Sequence, residues 1–385
     1  MKRTIVLIML VLLIDTCMYA FYPAYVCVEK GDGPYPNAVM GIAHDDTSIY
    51  LAKLDGKLVV INKETGEKSL LDVKASNQSY TPWSIYVHDG KTWIGTAEGK
   101  VLYYSNGGFH QSGIMLSWEY SYLGIPLAVE NITFDTQGNM YLSCTDGVGF
   151  KVDPKNNVER FTIRSKNLAL FSGHVCVDRD GAMWIANYGL FTYEYGLVRY
   201  TKDKGTVYFF KEHPDVPHGG GSVNAMVLDE EGGLWYLAGK KLTRLLGNNV
   251  FVSYDCPYIC YDMRFDAQQR LWMADQHGPL RMMENGVFTS YPCPFESKRW
   301  MCMDIDGDDI YIGTDEALLL FRDGEYTRID LGDAPSWQQS NEQTGIDAVS
   351  APAEASPRYD LLGRQLQGKP ERRVYIQDGR KVVIK

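Results

Sequence analysis

The side chains of this sequence that are best suited to bind a ligand are aromatic. The segment 187–196 holds three tyrosines and a phenylalanine within ten residues. Flat rings beside polar groups suit the face of a sugar ring or an apolar side chain of a peptide. We predict a ligand-binding face whose members are Trp83, Glu130, His174, Tyr188, Tyr193, Tyr195, His277 and Trp300. The alternative is that these rings only fill space within the fold.

Glu130, His174 and His277 are the ionisable members of this set. A histidine changes charge near neutral pH, so His277 can act as an acid or a base, or equally as a surface hydrogen-bonding group. The sequence lacks the Gly-x-Ser-x-Gly, His-Glu-x-x-His and Walker patterns that position nucleophiles, metals or phosphates. We therefore predict a binding protein with no catalytic residue, no cofactor and no bound metal.

Four aspartates lie close together within residues 304–309. Bunched carboxylates can bind calcium. The repeat described below requires a polar turn at this point, however, and a solvated turn explains the aspartates equally well.

Charge is distributed unevenly along the chain and restricts the partners. The net charge is −10 in total, +1 in residues 1–20 and +5 in residues 357–385, which leaves −16 for residues 21–356. An acidic body disfavours nucleic acid and anionic membranes as partners. The expected partner is a carbohydrate or a peptide or protein ligand.

Residues 1–20 have the features of a signal peptide. A basic start precedes an apolar run over residues 5–14, which is too short to span a bilayer. We predict an exported protein that is periplasmic, attached to the cell surface or secreted. The alternative is a lipoprotein modified at Cys17. No later segment is long and apolar enough for a transmembrane helix.

The end of the chain differs in composition from its body. Residues 333–356 are rich in Ala, Ser, Gln and Pro, which is typical of a linker. Residues 357–385 are basic, and Asp378-Gly379 between apolar residues predicts a short β-hairpin. The alternative for this tail is disorder.

Seven cysteines follow residue 20, so at least one thiol has no disulfide partner within the chain. Cys144 and Cys176 lie in apolar strand patterns and are expected to be small core residues. The sequence does not decide whether one disulfide forms among the four cysteines from 256 to 302.

One pattern recurs seven times. An apolar strand is followed by a turn that contains Asp and usually Gly, and then by a strand with a large aromatic residue. The aromatic anchors are Tyr50, Trp93, Tyr141, Trp184, Trp235, Trp272 and Tyr311. Their mean spacing is 43.5 residues, which is the length of one four-stranded propeller blade. We predict an all-β fold, a seven-bladed β-propeller over residues 21–332 with anchors between neighbouring blades. Separate β-sandwiches are the alternative.

In such a propeller, the ligand face is formed by loops before the innermost strands and by loops between second and third strands. The innermost strands are predicted to follow Asn37, Trp83, Glu130, His174, Ser222, Tyr258 and Arg299. Residues 206–211 are predicted to form the outer strand of the fourth blade.

The unit Asp-x-x-Gly-x-Met/Leu-Trp-Ile/Leu, followed by a Gly turn and a short strand, resembles the two-component regulator propeller repeat. The resemblance covers about residues 40–331 and is best around Trp93, Trp184 and Trp235. That family supplies periplasmic sensor domains in Bacteroidota and related stand-alone proteins. It implies an exported binding propeller, sensor-like or a surface interaction protein, with a membrane protein as a further partner.

The tail, through Tyr359–Arg364 and Val374–Lys385, resembles the end of the C-terminal sorting domain of type IX secretion cargo. Such tails imply export through the outer membrane.

Two other functions remain open. The chain also resembles streptogramin-type lyases in blade count and in its Asp-Gly…Trp rhythm. Those enzymes need a metal with His and Glu near the channel, so Glu130, His174 and His277 would have to converge from blades 3, 4 and 6. A structural role in surface assembly would instead require an exposed apolar patch away from the channel.

Overall fold

The computed structural model describes residues 37–116, 127–163, 172–187, 196–219, 223–247, 250–275, 278–295 and 300–331, with four short strands between residues 358 and 383. The chain divides into two units, Met1–Ala334 and Pro335–Lys385. Within the first unit, the described residues form seven four-stranded antiparallel sheets, each made of strands that follow one another in the chain. The seven-bladed β-propeller predicted from the repeat is therefore confirmed, and separate sandwiches are excluded.

The strands of the first three blades and of a small hairpin between blades 1 and 2 have the following bounds. Blade 1 has β1 (Val39–His44), β2 (Ser48–Lys53), β3 (Lys57–Asn62) and β4 (Lys68–Asp72). The hairpin has β5 (Lys74–Ala75) and β6 (Gln78–Ser79). Blade 2 has β7 (Pro82–His88), β8 (Lys91–Thr96), β9 (Lys100–Ser105) and β10 (Gly108–Met115). Blade 3 has β11 (Val129–Phe134), β12 (Met140–Cys144), β13 (Val148–Val152) and β14 (Val158–Thr162).

The remaining four blades complete the ring. Blade 4 has β15 (Ser172–Val177), β16 (Met183–Asn187), β17 (Leu197–Thr201) and β18 (Gly205–Tyr208). Blade 5 has β19 (Val223–Leu228), β20 (Leu234–Ala238), β21 (Lys241–Gly247) and β22 (Val250–Asp255). Blade 6 has β23 (Cys260–Phe265), β24 (Leu271–Asp275), β25 (Leu280–Glu284) and β26 (Val287–Tyr291). Blade 7 has β27 (Trp300–Asp306), β28 (Asp309–Thr314), β29 (Leu318–Arg322) and β30 (Glu325–Ile329).

The first strand of each blade is the innermost one, and neighbouring innermost strands contact each other around the ring, including β27 with β1. Blades 7 and 1 close the ring by side-chain packing. Val39 and Ile42 of blade 1 share one apolar cluster with Cys302 and Tyr311 of blade 7. Polar contacts reinforce this seam, because the nitrogen Nδ1 of His44 lies 2.7 Å from Oδ2 of Asp304.

The aromatic anchors occupy equivalent positions in the second strands, and each packs against the following blade. Trp184, for example, shares a cluster with Val223 and Tyr236 of blade 5. The other anchors show the same arrangement. A large ring fills the wedge-shaped gap between two sheets, as the repeat predicts.

Blade 4 differs from the predicted outer strand at 206–211. The strand β18 ends at Tyr208, and the chain continues as a single helical turn, α1 (Phe209–Glu212). The helical turn directs both Phe209 and Phe210 into the core between blades 4 and 5, where a strand would point only one of them inward.

The second unit contains one four-stranded sheet in the order β32-β31-β33-β34. Its strands are β31 (Arg358–Tyr359), β32 (Gln365–Leu366), β33 (Val374–Gln377) and β34 (Arg380–Val383). Gln377 pairs with Arg380, so β33 and β34 form the hairpin predicted around residues 378–379. The two additional strands were not predicted.

The described cysteines, Cys144, Cys176, Cys256, Cys260, Cys293 and Cys302, are all free thiols. The last four cysteines, for which the sequence allowed one disulfide, therefore form none. Among the described residues, no helix has the length and apolar character needed to cross a membrane.

Candidate functional site

A cavity of about 570 Å³ lies at the centre of the ring and is lined by residues from all seven innermost strands. Sites for small ligands have volumes of about 300–1,000 Å³. The channel therefore has room for a small ligand or for one end of a larger one.

A β-bulge recurs near the start of every innermost strand, because pairing with the second strand shifts there by one residue. The extra residues form what we call the bulge ring: Met40, Trp83, Glu130, Gly173, Asn224, Tyr261 and Met301. The next residues form the seam ring: Gly41, Ser84, Asn131, His174, Ala225, Asp262 and Cys302. Two positions later lies the anchor ring, whose members pair with the aromatic anchors: Ala43, Tyr86, Thr133, Cys176, Val227, Arg264 and Asp304. Every member of the anchor ring lines the cavity.

Trp83, Glu130, His174 and Trp300 line this cavity. The structure places all four inside innermost strands. The sequence placed Trp83, Glu130 and His174 just before their strands and Trp300 as the first residue of its strand, where β27 begins. The strands β7, β11 and β15 begin earlier than predicted, because pairing with the second strand continues on the N-terminal side of the bulge. The other predicted members, Tyr188, Tyr193, Tyr195 and His277, lie outside the described residues.

The two tryptophans contribute little open ring surface to the channel. Trp83 is 8% exposed, and Trp300 is 2% exposed and belongs to the apolar cluster between blades 6 and 7. The ring of Trp300 also lies against Gly278, where an added Cβ would come within 3.2 Å of Cζ2. Trp300 therefore supports the wall of the channel more than it offers a stacking face.

Seam-ring side chains connect neighbouring blades by hydrogen bonds. Ser84 Oγ donates to the carbonyl oxygen of Val129 at 2.8 Å, and Cys302 Sγ donates to that of Val39 at 3.3 Å. These groups are used to hold the ring together.

His174 belongs to the seam ring but reaches further than its equivalents. Its Nε2 lies 2.5 Å from the carbonyl oxygen of Tyr261, so the side chain of blade 4 extends past blade 5 to blade 6. The equivalent residue of blade 5 is Ala225, whose small side chain leaves room. Burial lowers the pKa of His174 below its usual value, so the ring is neutral at pH 7 and donates from Nε2.

Asp262, also in the seam ring, is buried and accepts three hydrogen bonds. Its Oδ1 accepts from the backbone N–H of Met263 at 2.8 Å and from Nη1 of Arg264 at 2.5 Å. Its Oδ2 accepts from the N–H of Met303 in blade 7 at 2.9 Å. Asp262 thus links blades 6 and 7 and forms an ion pair with Arg264.

Arg264 projects into the channel from the anchor ring. Its side chain is 38% exposed. The described lining of the channel contains no other Lys or Arg. Burial acts to lower the pKa of Arg264, but the carboxylates of Asp262 and Asp304 outweigh it and raise the pKa. Arg264 is charged at every physiological pH.

Three of the four carboxylates of residues 304–309 contact basic side chains, and His44 lies near two of them. Asp304 contacts His44, Asp306 forms an ion pair with Lys63, and Asp309 forms one with Arg322. In the part of the chain that the structure describes, no three His, Cys, Asp or Glu side chains come together to hold a metal ion. His277, the third residue of the metal alternative, is not among the described residues.

Sequence reasoning did not single out Arg264, Asp262 or the His44–Asp304 pair. A signal for Arg264 exists in the repeat, because the equivalent positions of the other copies hold Ala, Tyr, Thr, Cys, Val and Asp. A basic residue at this position of an apolar inner strand marks a charge inside the ring.

Comparison with known proteins shows the fold. The sequence matches no protein-family profile and no curated protein. Among solved structures, a streptogramin B lyase superposes with a TM-score of 0.60 at 13% identity, over 78% of this chain and 96% of that one. Virginiamycin B lyase from Staphylococcus aureus gives 0.58 at 13% identity, over 73% and 92%.

Two propellers of other kinds superpose about equally well. The extracellular domain of a hybrid two-component system from B. thetaiotaomicron gives a TM-score of 0.58 at 16% identity, over 90% of this chain but only 44% of that one. YCF48, solved with a D1 peptide, gives 0.56 at 13% identity, over 77% and 95%. At these identities the similarity concerns the architecture, and the protein is similar in fold to propellers that include lyases, the extracellular domain of a two-component system and a peptide-bound protein.

Proposed function

We propose that this protein is an exported, non-catalytic binding propeller whose ligand, a carbohydrate or a peptide, docks at the central channel. The observation that carries the proposal is the cavity of about 570 Å³ that all seven blades line. Two of its ionisable groups hold blades together, because His174 uses Nε2 and Asp262 uses Oδ2 in hydrogen bonds to another blade. Such groups favour a rigid receptor over an acid–base pair.

The proposed binding face includes Trp83, Glu130, His174 and Trp300 in the wall, with Tyr188, Tyr193, Tyr195 and His277 as its proposed loop members. Export is supported by the signal-like residues 1–20 and by the resemblance of the tail to sorting domains. A sensor-like role, in which a membrane protein receives the signal, agrees with the fold shared with the extracellular domain of the hybrid two-component system.

Glycan and peptide arrays probed with the mature protein test this proposal. Thr133→Trp would place a large ring in the anchor ring and obstruct the channel, and we expect it to abolish binding. Thr289→Trp introduces the same ring on the exposed strand β26 and is the matched control. Binding that persists in a folded Thr133→Trp protein would show that the ligand docks elsewhere.

A lyase activity is a second candidate, because Glu130 and His174 line one cavity from neighbouring blades. A metal there would have to compete with the Tyr261 carbonyl group for Nε2 of His174, or use Nδ1. Mass spectrometry of a streptogramin B substrate incubated with the protein, with added divalent metal or with chelator, tests this candidate. A metal-dependent linear product would replace the binding proposal.

A role as an assembly platform is a third candidate. The third and fourth strands of blade 5, which lie outside the innermost strand that lines the channel, expose three apolar side chains. They are Leu246, Val250 and Val252, and Val250 is 60% exposed. Val250→Lys combined with Val252→Lys should abolish self-association or capture of surface proteins if this patch is the working surface.

A further inference from the structure

Arg264 has hydrogen-bond donors that the fold does not use. Its Nη1 donates to Asp262 at 2.5 Å and to the carbonyl oxygen of Met263 at 3.0 Å. Among the described residues, Nε and Nη2 have no hydrogen-bond partner. A guanidinium group carries five N–H donors in a planar fork, so part of the fork is left unused on a side chain that lines the cavity and is 38% exposed.

A second unused donor lies in the same ring. The hydroxyl group of Tyr86, in blade 2, makes no hydrogen bond to any residue that the structure describes. Its ring is held by packing on Phe134, with the centroids 5.5 Å apart, so the hydroxyl position is fixed by the wall. Tyr86 and Arg264 belong to the anchor ring and both line the cavity.

The neighbouring carboxylates do not block this position. Asp262 has both oxygens occupied by Arg264 and two backbone N–H groups. Asp304 is held by His44 at 2.7 Å. The open donors of Arg264 and the Tyr86 hydroxyl group therefore line one cavity. A carboxylate that enters this cavity can accept bidentate hydrogen bonds from the arginine.

We propose that the channel captures the C-terminal carboxylate of a peptide, with Arg264 as its primary recipient and Tyr86 as a second donor. This inference rests on the proposed binding function and specifies its ligand. The volume of the channel suits one chain end, because a pocket of this size holds a drug-sized group. If the carboxylate came from an Asp or Glu within a peptide, the chain on both sides of that residue would have to fit into the same channel.

The charge of the protein favours a peptide over an acidic polysaccharide. Residues 21–356 carry −16, so a ligand with many carboxylates is repelled, whereas a basic peptide with one terminal carboxylate is attracted. Capture of a C-terminal carboxylate is a known mode of peptide recognition. The expected ligand is therefore a peptide with a free C-terminus and a basic or neutral body.

The test uses the mature protein and a library of basic octapeptides in two forms, free acid and C-terminal amide, beside hexuronate oligosaccharides. We expect free acids to bind and amidation to weaken the binding at least about tenfold, since the charged hydrogen bonds are lost. Arg264→Gln should reduce affinity for the free acids to a similar extent and leave the residual binding of the amides unchanged.

Two further variants keep the test decisive. Arg270→Gln breaks a comparable ion pair with Asp266 outside the channel and should leave peptide binding unchanged. If Arg264→Gln fails to fold because Asp262 loses its partner, Tyr86→Phe removes one donor without touching that pair, and a loss of about threefold or more for the acids alone is expected.

Equal binding of acids and amides would overturn the carboxylate assignment while leaving the channel-binding function intact. Arg264-dependent binding of hexuronates without peptide binding would overturn the peptide assignment. No binding of any probe on the full arrays would remove the proposed function and this inference together.

Discussion

The indole N–H of Trp235 donates a hydrogen bond of 2.8 Å to the carboxylate of Asp229, which lies in the turn six residues earlier. The same relationship holds for two further pairs, Asp178 with Trp184 and Asp266 with Trp272. In blades 1 and 3, a tyrosine hydroxyl group replaces the indole. The turn aspartate of the repeat therefore fixes the position of the anchor as well as the shape of the turn.

A cation completes this arrangement in blade 5. The guanidinium group of Arg244 lies 5.8 Å from the ring centroid of Trp235, and its Nε donates to Asp229 at 2.6 Å. Burial acts to raise the pKa of Asp229, but the hydrogen bonds from Arg244 and Trp235 outweigh it and hold the pKa below its usual value. Asp229 is thus a carboxylate throughout the neutral range.

Asp229→Asn is expected to lower the free energy of unfolding by about 1–3 kcal/mol, because an amide accepts more weakly from Arg244 and Trp235. Urea denaturation followed by tryptophan fluorescence measures this. Asp89→Asn is the matched control, since Asp89 is the exposed turn aspartate of blade 2 and contacts no anchor. Losses of equal size in the two variants would contradict the role given to Asp229.

Trp93 in blade 2 provides a converse test. Its turn is shorter, and its Nε1 is buried without a hydrogen-bond partner among the described residues. Trp93→Phe removes an unsatisfied polar group along with some apolar surface, whereas Trp235→Phe breaks a charged hydrogen bond. We expect Trp93→Phe to cost less stability than Trp235→Phe by about 1 kcal/mol or more in urea denaturation. The reverse order would show that the Asp–Trp hydrogen bond contributes nothing.

Much of the ring followed from the sequence because its determinants are local. The turn aspartate and the anchor are six residues apart in the clearest copies, and the repeat length alone predicts the blades. The contacts that close the ring could not be predicted in this way, since His44 and Asp304 are 260 residues apart. His174 was placed near the channel, but its reach to Tyr261 depends on the radius of the ring and on the small Ala225 between them.

The seam ring explains why the second strand of blade 2, β8, contains a glycine at position 95. A Cβ at Gly95 would come within 2.4 Å of Ser84 Oγ and 2.5 Å of Val129 Cγ1, because Ser84 crosses this glycine to reach the next blade. We expect Gly95→Ala to destabilise the protein by about 1–3 kcal/mol through overpacking. Gly247→Ala, whose nearest contact would be 3.9 Å away, is the control in the same thermal or urea unfolding assay. If Gly95→Ala leaves the free energy of unfolding unchanged, the contact between blades 2 and 3 can widen without cost and the overpacking argument is wrong.

Two histidines give the stability of the ring opposite dependences on pH. The hydrogen bond with Asp304 raises the pKa of His44 above its usual value of 6.5, and the charges of Asp304 and Asp306 outweigh burial and the nearby Lys63. Burial lowers the pKa of His174 below 6.5, although Asp262 opposes this. Between pH 6.5 and the pKa of folded His44, the folded protein binds more protons than the unfolded chain, so stability falls as pH rises. Between 6.5 and the pKa of folded His174, the unfolded chain binds more protons, so stability falls as pH decreases.

The contribution of these two groups to the free energy of unfolding should therefore have its maximum near pH 6.5. Urea denaturation from pH 5 to 9 measures it. His44→Asn should flatten the decline on the alkaline side and leave the acidic side intact, because it removes the proton bound at the seam between blades 7 and 1. His174→Gln should flatten only the acidic side, since glutamine can still donate to the Tyr261 carbonyl oxygen without accepting a proton. If the free energy of unfolding of His44→Asn still declines on the alkaline side, the pH dependence belongs to another group. The contact between His44 and Asp304 would then contribute nothing to stability.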